Sequence, residues 1–241
     1  LAMGRHDDLH YLEMKNDSEK LHHHRWGSNN SFNAIVGMDY TWHAEQSQKN
    51  GEPGYIWLDN ARTRGRFKDG ERLDDINVAG FNPCVEQQLE DAELCCLVET
   101  FPAKHDDLDD YLKTLKIAYL YGKTITLSNT HWPETNAKML KNRRIGLSQS
   151  GVVQAFNKHG RREMYEWCDQ AYEYVQNLDE EYSNWLCIPK SIRTTSIKPS
   201  GTVSLLNGST PGIHFPEDEY YIRRIRFSKD SPLVKPLIEA G

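Results

Sequence analysis

The sequence predicts an α/β fold, on three observations. Asp106 to Tyr121 and Arg161 to Leu178 carry apolar residues at helical spacing. Short apolar or β-branched runs alternate with them, and turn signals separate the two kinds of segment. No internal repeat or low-complexity linker divides the 241 residues, so the chain reads as one domain or part of one.

Taken in order, Leu1 to about Asn33 is polar and His-rich and predicts surface connections around one short helix. Ala34 to Val36 and Tyr55 to Leu58 predict two short strands, separated by polar text from Glu45 to Gly54 that ends in the turn signal Gly51-Glu52-Pro53-Gly54. Ala61 to Gly80 is charged, turn-rich and aperiodic, as for an exposed excursion. In the first helix Leu108, Tyr111, Leu112, Leu115, Ala118 and Tyr119 share a face, acidic Asp106 and Asp107 suit the first turn, and Gly122 suits the end. A strand over Thr124 to Leu127 and a shorter helix over Ile145 to His159 follow. In the helix from Arg161 to Leu178 one stripe holds Met164, Trp167, Cys168, Ala171, Tyr174, Val175 and Leu178, which places Cys168 in the core. Ile192 to Ile197 is β-rich, Tyr220 to Phe227 reads as a strand, and Pro232 to Ala240 is helix-like.

Composition excludes several classes. With 29 Lys+Arg against 35 Asp+Glu the formal charge is −6, which argues against a dedicated binder of nucleic acid or of an anionic membrane. No apolar stretch approaches a spanning helix and the N-terminus lacks the apolar core of a signal peptide, so the expected location is the cytoplasm. Five cysteines are too few, and odd in number, for a disulfide scaffold. Counting Gly in place of Tyr, the apolar share is about 40%, under the usual 45–50%. Together with a first Met at position 3 and an end directly after a helical run, this reads as a piece cut from a longer chain.

Some motifs dissolve on inspection. Gly122-Lys123-Thr124 would close a phosphate-binding loop, but Ile117 stands where its first glycine is required. His22, His23 and His24 are consecutive and cannot all face one ion, so no metal site is expected. Cys187, before Ile188-Pro189, reads as a small buried residue.

Asn82-Pro83-Cys84-Val85-Glu86 is different. It sets an amide, a thiol and a carboxylate at alternate positions, which an extended backbone would turn to one face, and Pro83 stiffens the display. Cys95 offers a second thiol eleven residues on. A carboxylate that moves a proton beside a sulfur that handles an electron or hydrogen atom suits redox or radical chemistry. The same spacing also fits a plain loop with one buried Cys and a surface Glu. Further on, Lys198-Pro199-Ser200-Gly201-Thr202-Val203-Ser204 has the hydroxyls and free amides of a helix N-terminus, which favours phosphate. Cys96, next to Cys95, is expected to pack on the opposite face.

These residues carry a resemblance. Asn82-Pro83-Cys84-Val85-Glu86 with Glu93-Leu94-Cys95 and Leu97-Val98-Glu99 resembles the active-site finger loop of the ribonucleotide reductases. Ser28-Asn29-Asn30-Ser31, Lys198 to Leu206, Thr210-Pro211-Gly212-Ile213-His214 and Tyr220 to Arg226 resemble other parts of the same catalytic domain, in the same order. Pro83 and the Lys-Pro-Ser-Gly-Thr form are similar to the adenosylcobalamin-dependent class, especially its monomeric triphosphate reductases.

The resemblance implies that the chain is part of a ten-stranded α/β barrel, with a finger loop at about 81–96 and a phosphate-binding loop at about 198–206. It implies that Cys84 is the thiyl-radical cysteine that takes the 3′ hydrogen of the ribose. Glu86 would take the 3′-hydroxyl proton and Asn82 would hydrogen-bond the sugar. Cys95 would be one of two thiols that form a disulfide as the 2′-hydroxyl leaves as water. Ser200, Gly201, Thr202 and Ser204 would hold the substrate phosphates. Adenosylcobalamin is the implied cofactor; a ribonucleotide substrate, nucleotide effectors and thioredoxin or a similar dithiol are the implied partners. Every cysteine lies at or after position 84, so the upstream disulfide partner of Cys95 and the C-terminal relay pair are not in this chain. Three alternatives stand beside this: a metal-dependent reductase large subunit, a non-catalytic nucleotide-binding module of the same fold, and a thiol hydrolase, for which no His stands in a recognisable partner context.

Overall fold

The computed structural model describes residues 2–222 and 227–240. Its first third is built on a parallel sheet of β1 (Ala2–Arg5), β2 (Asn30–Asn33) and β3 (Gly54–Ile56), in that order. Parallel neighbours need crossover connections. Helices α1 (Leu9–Leu12) and α2 (Ser18–His23) lie in the first crossover and α3 (Thr41–Asn50) in the second. The sequence reading of this region is therefore corrected: β1 and β2 replace surface connections, β2 ends at Asn33 so that Ala34 to Val36 is not a strand, and the strand expected at Tyr55 to Leu58 lies one to two residues earlier as β3. Polar residues fill buried positions here, which hides the strands from an apolar count. Asn33 Oδ1 accepts the Leu58 amide at 3.2 Å, and Asn30 Nδ2 donates to Glu52 Oε2 at 3.3 Å. Phe32, fully buried, stacks on His43 of α3 with ring centroids 4.5 Å apart.

After α4 (Leu58–Thr63) the chain reaches the hairpin of β4 (Gly80–Phe81) and β5 (Gln88–Leu89). The stretch between, expected as an exposed excursion, is anchored instead: Asp75 and Val78 are fully buried. Next, β6 (Leu97–Thr100) and β7 (Gly146–Gln149) pair in parallel, with α5 (Leu108–Ile125) and α6 (Pro133–Asn142) crossing between them. Of the β-rich stretch Ile192 to Ile197, Thr195 alone joins the sheet, by a parallel bridge to Leu147. The chain continues through α7 (Val152–His159), α8 (Arg161–Leu186), α9 (Val203–Leu206) and α10 (Val234–Ala240). The α/β expectation holds. The strand expected over Tyr220 to Phe227 lies partly outside the described residues, at 223–226, and the described residues flanking that gap form no strand.

The main core lies where α5 and α8 cross and cover β7. It is made by Tyr111, Leu115 and Tyr119 of α5, Met164, Trp167, Val175 and Leu178 of α8, and Leu147 of β7, with Cys168 packed against its edge. Burying each such side chain contributes roughly 1.5–3 kcal/mol. Asp107 caps α5 by accepting the Asp110 amide at 2.8 Å. Gly122 does not end this helix. A Cβ there would meet Val98 Cγ2 at 3.1 Å and Ile145 Cγ2 at 3.3 Å, so glycine lets the helix lie close on the sheet while it continues to Ile125. The strand expected over Thr124 to Leu127 is accordingly absent; Lys123, buried against Asp179 at 2.6 Å, keeps the last turn helical. Helix α8 outruns Leu178 because Tyr182 and Ser183 are buried too. The helix expected over Ile145 to His159 divides into β7 and α7, since ladder bonds to β6 claim its first half.

A buried charge network ties these elements together. Arg144 donates to both Asp75 carboxylate oxygens at 2.8 Å and to Glu93 Oε1 at 3.1 Å, and Arg193 donates to Asp75 Oδ2 at 2.8 Å. The side chains of Arg144, Asp75 and Glu93 are fully enclosed, and two positive charges face two negative ones. Although burial opposes it, Asp75 and Glu93 hold the Arg144 guanidinium above the ordinary arginine range. No helix among the described residues is long and apolar enough to cross a membrane.

The cysteines divide by exposure. Cys95 is exposed and Cys96 buried, so the expected opposite facing holds. Burial pushes the Cys96 thiol up to about 11, and its sulfur donates to the Gly122 carbonyl at 3.6 Å. Cys187, expected to be buried, is exposed: it ends α8 at φ 53°, where the chain turns away from the core.

Two predictions follow from this packing. Asp75→Ala leaves two enclosed guanidinium groups short of a partner and should cost about 3–5 kcal/mol in urea unfolding; a loss below about 1 kcal/mol would contradict the network's role. Iodoacetamide followed by peptide mass mapping should modify Cys95 and Cys187 in the folded chain and Cys96 only after unfolding. Equal labelling of Cys95 and Cys96 in the folded chain would refute their opposite facing.

Candidate active site

Between β4 and β5 the chain turns back within six residues, Asn82 to Gln87, and this loop holds the thiol. Asn82 closes it twice: its amide donates to the Gln87 carbonyl and its Oδ1 accepts the Gln87 amide, both at 3.1 Å. Pro83 suits the second position of the tight turn that follows, which the Val85 amide completes on the Asn82 carbonyl at 3.0 Å. Val85 sits at φ 65°, a left-handed geometry costly for a β-branched residue, at about 1–3 kcal/mol.

The extended display expected of Asn82, Cys84 and Glu86 is thus corrected: the backbone bends, because the short hairpin must reverse within this loop. Asn82 and Glu86 are buried while Cys84 is exposed. Even so, the thiol and the carboxylate are brought together, through a residue 112 positions beyond Glu86. The ammonium of Lys198 donates to Glu86 Oε1 at 2.9 Å and lies 3.7 Å from the Cys84 sulfur. Glu86 Oε2 is buried without a hydrogen-bond partner, although its side chain is only 1% exposed. An enclosed acceptor of this kind is costly unless a ligand donor fills it. From the first strand region, Asn29 Nδ2 donates to the Pro83 carbonyl at 2.6 Å, so the Ser28 to Ser31 motif touches the loop next to Cys84.

Lys198, which holds the loop through Glu86, rests on the ends of β6 and β7. Glu99 accepts from Ser150 Oγ at 2.5 Å and Ser148 Oγ at 3.3 Å. Burial raises the Glu99 carboxyl above its ordinary range, against the serine hydrogen bonds and the Lys198 charge, and the charge of Glu86 adds to the rise. Ser148 Oγ also accepts the Lys198 amide at 2.8 Å, and Ser150 Oγ accepts the Gly212 amide at 2.9 Å. Gly212 is at φ 48°, and a Cβ there would come within 2.6 Å of the Lys198 carbonyl, so only glycine lets the two backbones meet.

Lys198 opens the hydroxyl-rich loop. Its helix, α9, is four residues long, and Thr202 caps it without a side-chain bond. Ser200 and Ser204 are buried and the Ser204 hydroxyl donates to the Ser200 carbonyl, while Gly201 and Thr202 are exposed. The expected set of four therefore splits into two residues turned in and two turned out. Cys95 is a free, exposed thiol after β5. Among the described residues no cluster of His, Cys, Asp and Glu could hold a metal ion, and no histidine bonds Cys84. A cavity of about 470 Å³ between β7, α5 and α8, lined by Tyr111, Gln149, Cys168 and Val175, does not include the thiol loop.

Sequence reading missed Lys198 as a partner of Glu86, Ser148 as its anchor and Asn29 as a clamp. Only the position of Lys198 at the head of the Pro-Ser-Gly-Thr motif could have drawn attention to it.

No family model matches the chain. Among curated proteins it is 52% identical over 247 residues to a probable adenosylcobalamin-dependent ribonucleoside-triphosphate reductase of Dictyostelium discoideum, covering all of this chain and 32% of the relative. It is 48% identical over 243 residues to the adenosylcobalamin-dependent ribonucleoside-triphosphate reductase of Euglena gracilis and 37% identical over 273 residues to that of Lactobacillus leichmannii, covering 33% and 36% of them. A crystal structure of a B-12 dependent (class II) ribonucleotide reductase superposes with a TM-score of 0.82 at 35% identity, over 89% of this chain and 34% of that one. The chain spans about a third of the length of these relatives. Along its whole length it is thus similar to one third of the adenosylcobalamin-dependent ribonucleoside-triphosphate reductases, and it shares the α/β fold of that third.

Proposed function

We propose that this chain is the radical-cysteine part of an adenosylcobalamin-dependent ribonucleoside-triphosphate reductase, which makes deoxyribonucleotides for DNA synthesis. The observation that carries the reading is the Cys84 thiol beside a buried Glu86 whose Oε2 has no partner. The fit to the cofactor rests on Cys84, whose sulfur is exposed at the loop tip and open to a radical source. Adenosylcobalamin, when bound, supplies the radical that removes the thiol hydrogen.

The Cys84 sulfur then takes the 3′ hydrogen of the ribose, re-forming its S–H bond and leaving the unpaired electron on C3′. Glu86 Oε2, the enclosed acceptor, takes the 3′-hydroxyl proton. Asn82 has committed its carbonyl oxygen to Gln87, so its Nδ2 is the group left to bond the sugar. Loss of the 2′-hydroxyl as water consumes two electrons, which Cys95 and a thiol outside this chain supply by forming a disulfide; the Cys84 S–H then returns its hydrogen to C3′, which closes the sugar and leaves the unpaired electron on sulfur again. Thioredoxin or a similar dithiol restores the pair, and nucleotide effectors act on the whole enzyme. The exposed Gly201 and Thr202 line the side of the hydroxyl-rich loop where substrate phosphates bind, with Ser200 and Ser204 shaping it from within.

In the complete protein, Cys84→Ala should lower reduction of ribonucleoside triphosphates by about a thousandfold or more while nucleotide binding is retained. Turnover near the wild-type rate would sink the assignment. Residues 1–241 alone, given adenosylcobalamin and a dithiol, should form no deoxynucleotide. A metal-dependent reductase remains the second reading because the finger-loop chemistry is shared; turnover in the complete protein without added adenosylcobalamin would favour it.

A further inference from the structure

We propose that Lys198 is the positioning cation of the site, fixing Glu86 and the Cys84 loop against the loop that receives phosphate. This rests on the reading above for its catalytic consequence, but not for its geometry. Lys198 is held at three points. Its amide is bound by Ser148 Oγ at 2.8 Å, its carbonyl is packed against Gly212, and its ammonium is bound by Glu86 Oε1 at 2.9 Å. Ser148 is itself buried on β7 and paired with Glu99 of β6, so the backbone that carries the ammonium is anchored to the sheet.

The position of the charge decides what it does. The Lys198 side chain is 28% exposed and Glu86 only 1%, so the carboxylate is enclosed and its cation closes the site from outside. Burial works against the ammonium, yet the hydrogen bond and charge of Glu86, with Cys84 behind them, hold it above the usual lysine range. It therefore stays charged across neutral pH. By saturating Oε1, Lys198 leaves Oε2 as the one acceptor that can meet a ligand hydroxyl. The charged and titratable groups facing Glu86 are Lys198 from this segment, Cys84 from its own loop and Glu99 from β6.

The segment that begins at Lys198 runs directly into Ser200, Gly201, Thr202 and Ser204. One side chain thus spans from the segment carrying the phosphate-binding candidates to the loop carrying the thiol, two segments that share no continuous secondary structure. A ligand that orders the first fixes the height of the ammonium and with it Glu86 and Cys84. The geometry gives Lys198 a task that a surface ion pair of its type lacks, because one partner is enclosed and the backbone behind the other is anchored.

Two measurements test this. In residues 1–241, hydrogen exchange at the Val85 and Gln87 amides, which close the thiol loop, should be about tenfold faster in Lys198→Met and near wild type in Lys198→Arg, with amides of α5 unchanged as a control for folding. In the complete reductase, Lys198→Met should lower kcat by about a hundredfold with KM within about threefold. Lys198→Arg should restore most of kcat. Unchanged loop exchange in Lys198→Met overturns the inference whatever the activity. So does a kcat near wild type in Lys198→Met. Faster loop exchange in Lys198→Met as expected, together with a complete wild-type protein that reduces no ribonucleotide, counts against the functional reading alone.

Discussion

Asp75, Glu93, Arg144 and Arg193 meet in a buried network that joins the four stretches of chain on which the site stands. Asp75 lies ahead of the thiol hairpin and Glu93 behind it; Arg144 precedes β7, and Arg193 precedes Lys198. The hairpin strands are two residues each, too short to hold their own position. Enclosed charges tolerate few arrangements, because any displacement strands one of them away from water. The network therefore contributes more to the placement of the loops than to net stability, and it extends through Asn142, which bonds both Glu90 and Glu93.

Above this base the site follows the general rule for open parallel sheets, in which ligands meet the carboxyl ends of strands. Glu99, Ser148 and Ser150 lie at or just beyond those ends of β6 and β7. Ser148 and Ser150 bind the backbone amides of Lys198 and Gly212 while Glu99 accepts from both serine hydroxyls, and so the strand ends become a cradle for two loops that are otherwise irregular. The outcome is a division of labour: serines and glycine set the backbones, Lys198 sets the carboxylate, and Cys84 is left exposed with its sulfur open to a reactant.

How much of this could be read from the sequence depended on how local the signal was. Helices α5 and α8 showed themselves because Tyr111, Leu115, Trp167 and Val175 repeat every three or four positions. The thiol and carboxylate showed themselves because Cys84 and Glu86 sit in one short motif. Strands β1 and β2 did not, since β2 carries the buried polar residues Asn30 and Ser31 beside the half-buried Asn33, held by long-range bonds. Nor did the anchoring of Ala61 to Gly80, which depends on Asp75 finding an arginine 69 residues away. Lys198 pairs with Glu86 across 112 residues, a contact that no periodicity or spacing rule addresses. Asn82, which the motif also singles out, closes the loop through Gln87, a pairing that the motif alone does not reveal.

The central claim is that Cys84 carries the unpaired electron in the complete enzyme. Freeze-quenched electron paramagnetic resonance of the complete protein, mixed with adenosylcobalamin and a ribonucleoside triphosphate, tests it directly. The expected result is a sulfur-centred radical signal that narrows when the cysteines are β-deuterated and is lost in Cys84→Ser. The same signal persisting in Cys84→Ser would place the radical on another residue and contradict the claim.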